Sequence, residues 1–137
     1  MEPGVVGLLI LILLIAATVG VLVKQRPDSW NLPLLRTAHS SFLRQLERAL
    51  VRGDAVAVNH RAAAFLASAF DVLLAVNRVL HPGEKRLVSY AEATCALRPD
   101  GLRDLAVGVA RAGPDVVARA DALARALEAL AADEGLA

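Results

Sequence analysis

Nineteen consecutive residues without a charge, VVGLLILILLIAATVGVLV from Val5 to Val23, constrain this chain more than anything else in it. At the α-helical rise they reach about 28 Å, close to the roughly 30 Å hydrocarbon core of a bilayer. Each leucine and isoleucine between Leu8 and Ile15 favours insertion by about 0.3 to 0.6 kcal/mol at the helix centre. The run predicts a transmembrane helix over residues 5–23, preceded by a short outer segment over residues 1–4. A cleaved signal peptide would carry a basic leading segment, a shorter apolar stretch and an A-x-A-like exit. Here Met1-Glu2-Pro3-Gly4 holds no Lys or Arg, and Ala16-Ala17-Thr18 lies inside the run. A core helix of a small bundle is seldom apolar on every face. Gly7 and Gly20 are too far apart for the small-xxx-small motif of membrane dimers.

Orientation follows from charge. Lys24, Arg26 and Arg36 follow the span, opposed locally only by Asp28, and no basic residue precedes it. The positive-inside rule therefore expects the C-terminal bulk in the cytoplasm and the N-terminus outside, at a cell membrane crossed once. Residues 24–33 read as a juxtamembrane linker, because Pro27 and Pro33 stop the membrane helix from running straight on. Trp30 suits either the headgroup layer or the interior of the following domain.

Residues 34–137 predict an all-α bundle of about five helices. Leu34, Ala38, Phe42, Leu46 and Ala49/Leu50 recur at three- and four-residue spacing, ending at Gly53. Asp54 is a good N-cap for a second helix, expected from Ala55 to about Leu80, with Val58, Ala62, Phe65, Leu66, Phe70, Leu73, Leu74 and Val76 on its apolar face. His81-Pro82-Gly83 breaks it. A third helix starts near Glu84, with Leu87, Val88, Tyr90 and Ala91, and fades around Leu97-Arg98-Pro99. A fourth carries Leu102, Leu105, Val107 and Val109 and closes at Gly113. Pro114 and Asp115 open the fifth, an Ala-rich helix with Val116, Ala120, Leu123, Leu127 and Leu130 on one side.

Composition excludes several functions. Fifteen Lys and Arg against fourteen Asp and Glu give a net charge of +1, so no global charge advertises nucleic acid. A single cysteine leaves no internal disulfide framework and no multi-cysteine zinc site. Neither G-x-x-x-x-G-K-[ST] nor G-x-G-x-x-G occurs, so no phosphate-cradling loop is visible. No D-x-D, H-E-x-x-H or C-x-x-C exists, and His39, His60 and His81 are scattered. No metal or cofactor is expected. Cys95 has no neighbouring base in sequence and reads as a packed thiol.

One polar stretch interrupts this plainness, from Asp71 through Asn77, Arg78 and His81-Pro82-Gly83 to Glu84, Lys85 and Arg86. Asp71 and Arg78 are two helical turns apart and would share a face. Placing such groups beside the richest apolar stretch costs desolvation unless they pair or meet a ligand. One reading is an Asp71–Arg78 ion pair fixing the interhelical turn. The other is an anion or phosphate pocket lined by Arg78, Lys85 and Arg86.

The run Leu73-Leu74-Ala75-Val76-Asn77-Arg78, followed by His81-Pro82-Gly83-Glu84-Lys85-Arg86, resembles a signature of bacterial nucleotidyltransferase-like proteins of unknown function. There "ALNR", a short spacer and "PGEK" lie in the helical half that follows the catalytic domain. Leu50-Val51-Arg52-Gly53-Asp54 is similar to the turn that leads into that helix, and the resemblance spans roughly residues 34–111. The family's sheet domain, with its glycine-serine loop and metal-binding aspartates, has no counterpart here; a predicted membrane span stands in its place. The resemblance thus implies substrate-covering helices without the machinery of transfer. Asn77, Arg78, Glu84, Lys85 and Arg86 would be pocket or scaffold residues, and a nucleotidyltransferase-type protein would be the partner in trans.

The sequence therefore predicts a membrane-anchored, non-catalytic helical domain that binds or scaffolds. An alternative is a helical ribonuclease-like or nucleotide-binding partner domain using Arg78 and His81, although Pro82 crowds that pair. A third reading is recognition of anionic lipid, since residues 24–52 hold six Lys and Arg against two acids.

Overall fold

The computed structural model describes residues 2–24 and 28–135, with side chains over 2–17 and 32–135. Seven α-helices are present, and no strand occurs among the described residues. They are α1 (Pro3–Lys24), α2 (Asp28–Leu35), α3 (Phe42–Val51), α4 (Ala55–Val76), α5 (Leu87–Thr94), α6 (Leu102–Ala110) and α7 (Val116–Asp133). Trp30, and with it the choice between headgroup and interior, lies outside the described side chains.

Helix α4 is the spine, touching α2, α3, α6 and α7, while α5 packs on α6. Phe65, Leu73, Leu74 and Val72 from α4 are fully enclosed, together with Leu35 from α2, Leu46 from α3, Val109 from α6 and Leu123 and Leu127 from α7. The eight apolar positions of α4 named from sequence are all buried except Leu66, which is half-buried. None of the substantial helix–helix packings involves α1.

The first bundle helix expected from sequence is two helices. The spacing of Leu34, Ala38 and Phe42 reads as continuous, yet the chain breaks over residues 36–41. Ser41 causes the restart. Its hydroxyl accepts from Arg44 N–H at 3.3 Å, capping α3, and donates to the Arg36 carbonyl at 3.0 Å. Helix α2 also occupies much of the expected linker. Pro33 sits inside it, where its ring nitrogen offers no helical hydrogen bond.

Helix ends follow one pattern. At the end of α3, Gly53 has φ +67°, its N–H donates to Leu50 O, and Asp54 N–H donates to Ala49 O. This left-handed cap satisfies carbonyls that the last turn would leave bare. Asp54 then caps α4 by accepting from Ala57 N–H at 3.0 Å. Helix α4 closes by the same device at Val76, not near Leu80, with Asn77 as its last half-turn residue and Arg78 in the left-handed position. Arg78 N–H donates to Ala75 O and Val79 N–H to Leu74 O. Helix α7 starts at Val116, so Pro114 precedes the cap residue Asp115 instead of occupying the first turn.

The two halves of the bundle are tied by side chains. Arg36 Nε and Nη2 donate to the two carboxylate oxygens of Glu128 at 2.9 and 2.7 Å, and Asp121 Oδ1 lies 4.0 Å from the same guanidinium. Among the described residues, no helix is long and apolar enough to cross a membrane. The apolar side chains of α1 are described only as far as Ala17, about 20 Å from Gly4 at the helical rise, and its helical backbone continues to Lys24.

Candidate functional site

In the polar stretch singled out from sequence, Asp71 and Asn77 are half-buried, and Arg78, His81, Glu84, Lys85 and Arg86 are exposed. The Asn77 carboxamide is committed to backbone: its amide donates to Leu73 O at 2.8 Å and Leu97 O at 2.6 Å, and its oxygen accepts from Leu97 N–H at 2.9 Å. It pins the segment after α5 to the end of α4. Arg78 is exposed at φ +56°, beyond the last helical residue. Glu84, Lys85 and Arg86 are exposed in the turn before α5, and Arg86 is itself left-handed at φ +55°. None of these five residues lines the cavity at the start of α6 or the small apolar one between α4, α6 and α7.

The expected Asp71–Arg78 pair is not formed. Two-turn spacing aligns residues only within a helix, and α4 ends before Arg78. Asp71 faces His81 instead, with Oδ1 3.9 Å from Nε2, too long for a hydrogen bond. His81 Nδ1 accepts the Gly83 N–H at 3.0 Å, which leaves Nε2 to carry the proton of a neutral ring. Arg78 and His81 are both exposed, in the loop between α4 and α5.

A shallow cavity of about 380 Å³ lies elsewhere, at the start of α6, lined by Glu92, Arg98, Asp100, Gly101 and Arg103. Gly101, at φ +70°, turns the chain into the helix. Glu92 Oε1 is closed off from solvent, with Arg103 Nε at 2.8 Å whose N–H is not aimed at it. Arg103 also donates to Ser89 Oγ at 3.1 Å, and Arg98 donates to Cys95 O at 2.7 Å. Two arginines against two carboxylates leave the cleft without a charge preference. Arg103 is held between Glu92 and Ser89, and Arg98 by the Cys95 carbonyl, which fixes both arginines at the loop.

Cys95 is buried just before this loop. Burial pushes its thiol above the ordinary range, opposed by the Thr94 hydroxyl and by Arg98. A thiol held protonated and enclosed is a poor nucleophile. No group of three or more His, Cys, Asp or Glu side chains is placed to hold a metal among the described residues.

What the structure leaves conspicuously unsatisfied is apolar. Val5, Val6 and every residue from Leu8 to Ile15 are exposed, between 39% and 68%. Consecutive residues cover all faces of a helix, so α1 has no polar side to give to water. Contiguous uncovered apolar surfaces of this kind mark membrane or protein contacts. A second feature is cationic. Arg44, Arg48 and Arg52 are exposed on and just after α3 without an acidic partner among the described residues, whereas Arg36 is taken by Glu128. Arg36 reads from sequence as part of the juxtamembrane charge; its structural role needed the distant α7 to be seen.

No family model, no curated protein and no solved structure matches the chain.

Proposed function

We propose that this is a single-pass membrane protein whose helical bundle works by binding or scaffolding, without chemistry of its own. The reading rests on the all-round exposure of Val5 to Ile15. Burying those side chains in hydrocarbon removes apolar area worth about 25 cal/mol per Å² from water. The uncharged sequence continues to Val23, and Lys24 and Arg26 follow it. That asymmetry supports an outer N-terminus and a cytoplasmic bundle. The resemblance of residues 73–86 nominates a nucleotidyltransferase-type protein as the partner in trans. In that reading Asn77 serves as scaffold, since its amide is already occupied by backbone.

Fractionation of cells expressing the full chain tests the anchor. The protein should stay with the membrane pellet through alkaline carbonate washing and leave it only in detergent. Protease added to intact cells should spare the bundle. Recovery of full-length protein in the high-speed supernatant would overturn the reading, and cleavage of the bundle on intact cells would reverse the orientation.

A further inference from the structure

From the α3–α4 hairpin we infer that the bundle rests against the membrane that carries it: the hairpin is a contact surface for an anionic lipid leaflet. The inference rests on α1 being the anchor. At the hairpin Val51 is 88% exposed and Val56 67%, on either side of the Gly53 turn. Both valines point away from a core that already encloses Leu46, Ala49 and Val58 from the same two helices. On the same two helices Arg44 and Arg48 lie on the α3 face of Val51, at i−7 and i−3, Arg52 lies beside the turn and Arg61 on α4, all exposed. None of these four is paired with an acid among the described residues, whereas Arg36, Arg103, Arg119 and Arg125 each are. Of the nearby acids, Asp54 spends one carboxylate oxygen capping α4, and Glu47 is exposed on α3.

Free guanidinium groups around two projecting aliphatic side chains suit a phosphate-bearing layer over hydrocarbon. Arginine binds lipid phosphate through two N–H groups, and short aliphatic chains enter the boundary between headgroup and acyl chain. Tethering makes a weak surface sufficient. Once α1 is inserted, a contact too feeble to recruit a free domain becomes intramolecular, at an effective concentration in the millimolar range. The opposite end of α4 supplies an internal control, since Leu80 is 72% exposed beyond that helix's far terminus. A flat leaflet cannot engage both ends of a helix about 33 Å long that stands off the surface.

The test uses the full chain reconstituted into vesicles of phosphatidylcholine alone or mixed with phosphatidylserine. An environment-sensitive thiol label is placed through Val51→Cys or, separately, Leu80→Cys; the native Cys95 is buried and does not compete. With headgroup-level quencher lipids, the Val51→Cys label should be quenched at least about twofold more in the phosphatidylserine vesicles. That excess should vanish in about 1 M salt, where the screening length falls to about 3 Å. It should also vanish in an Arg44→Gln/Arg48→Gln/Arg52→Gln background, whose circular dichroism should be unchanged. The Leu80→Cys label should ignore lipid charge. If the chain inserts but the Val51→Cys label is indifferent to phosphatidylserine, the inference falls and the anchor stands. Quenching at Leu80→Cys in its place would overturn it too, as would protection that tracks protein density in the bilayer, the sign of a second copy as occupant. Failure to float with either vesicle type would remove the anchor and the inference together.

Discussion

Arg36 and Glu128, ninety-two residues apart, hold each other through two N–H···O bonds, one to each carboxylate oxygen. They link the turn after α2 to the second half of α7. The Glu128 hydrogen bond raises the pKa of the guanidinium above its usual value, against an opposing effect of desolvation, with smaller help from the charges of Glu128 and Asp121. Both side chains are about a quarter exposed. Glu128→Ala should therefore cost about 2 kcal/mol, between the worth of an exposed pair and a buried one. Arg36→Met with Glu128→Leu should cost less than the two single changes added together, because neither charge is then stranded. Urea unfolding of the four proteins of the cycle measures this.

Asn77 is the second long-range tie. Asn77→Asp replaces two donated hydrogen bonds by contacts between a carboxylate and the carbonyls of Leu73 and Leu97. It should destabilise by about 2–3 kcal/mol, and Asn77→Ala by a similar amount. Both should accelerate amide exchange around Leu97.

How much of this was legible from sequence divides by range. Asp54 announced its cap and Gly53 its turn, because both act on groups a few residues away. The apolar spacing from Val58 to Val76 found the core face of α4 for the same reason. The break before Ser41 was hidden, since Leu34, Ala38 and Phe42 keep helical spacing across it. The partners of polar residues were hidden wherever they lay far along the chain. Nothing near Arg36 points to Glu128, and nothing near Asn77 points to Leu97. The expected Asp71–Arg78 pair failed locally: its geometry assumed a helix running on past Arg78, and α4 ends at Val76 with Asn77 as its cap.

Arg78 and Ala112 both sit at positive φ, +56° and +50°, one residue past the half-turn ends of α4 and α6. Gly53 fills the equivalent place after α3 at no steric cost. Arg78→Gly should therefore stabilise the bundle by about 0.5–1 kcal/mol, and Ala112→Gly likewise. Thermal melts of the single variants check it. Lower stability on Arg78→Gly would mean that the arginine side chain makes a contribution larger than its backbone strain.

Ser41→Ala removes the cap of α3 and strands the Arg36 carbonyl in a site with no solvent access at the serine. A loss of about 1–2 kcal/mol is expected. Ser41→Thr should recover part of it if the extra methyl fits, and denaturant midpoints discriminate the two.

Cys95 should resist thiol reagents in the folded protein, since burial both shields the sulfur and raises its pKa. Labelling by a disulfide reagent across a urea series should coincide with loss of helical circular dichroism. Fast labelling without urea would show that the α5–α6 segment opens on its own.

Acid should weaken the start of α7. The hydrogen bond from Arg119 is the main cause holding the Asp115 carboxyl below its usual value. A folded-state pKa below the unfolded one contributes stability above the unfolded value, about 3.9, and loses it as pH falls through the folded value. Asp115→Asn should lower stability slightly at neutral pH and flatten the acid limb of the profile, with the effect screened because the carboxylate is exposed. Melting temperatures between neutral pH and pH 2 would test it.

Between its larger core residues Val116, Leu123 and Leu127, helix α7 meets its neighbours through single methyl groups at Ala120, Ala124 and Ala131, each fully enclosed. Side chains this small let backbones draw close but leave no slack to absorb a larger neighbour. A chain built this way tolerates trimming poorly and enlargement worse: one added isobutyl group at Ala124 would wedge the last rod outward and pull Glu128 off its arginine, so crowding at a place with no charge would loosen the whole assembly.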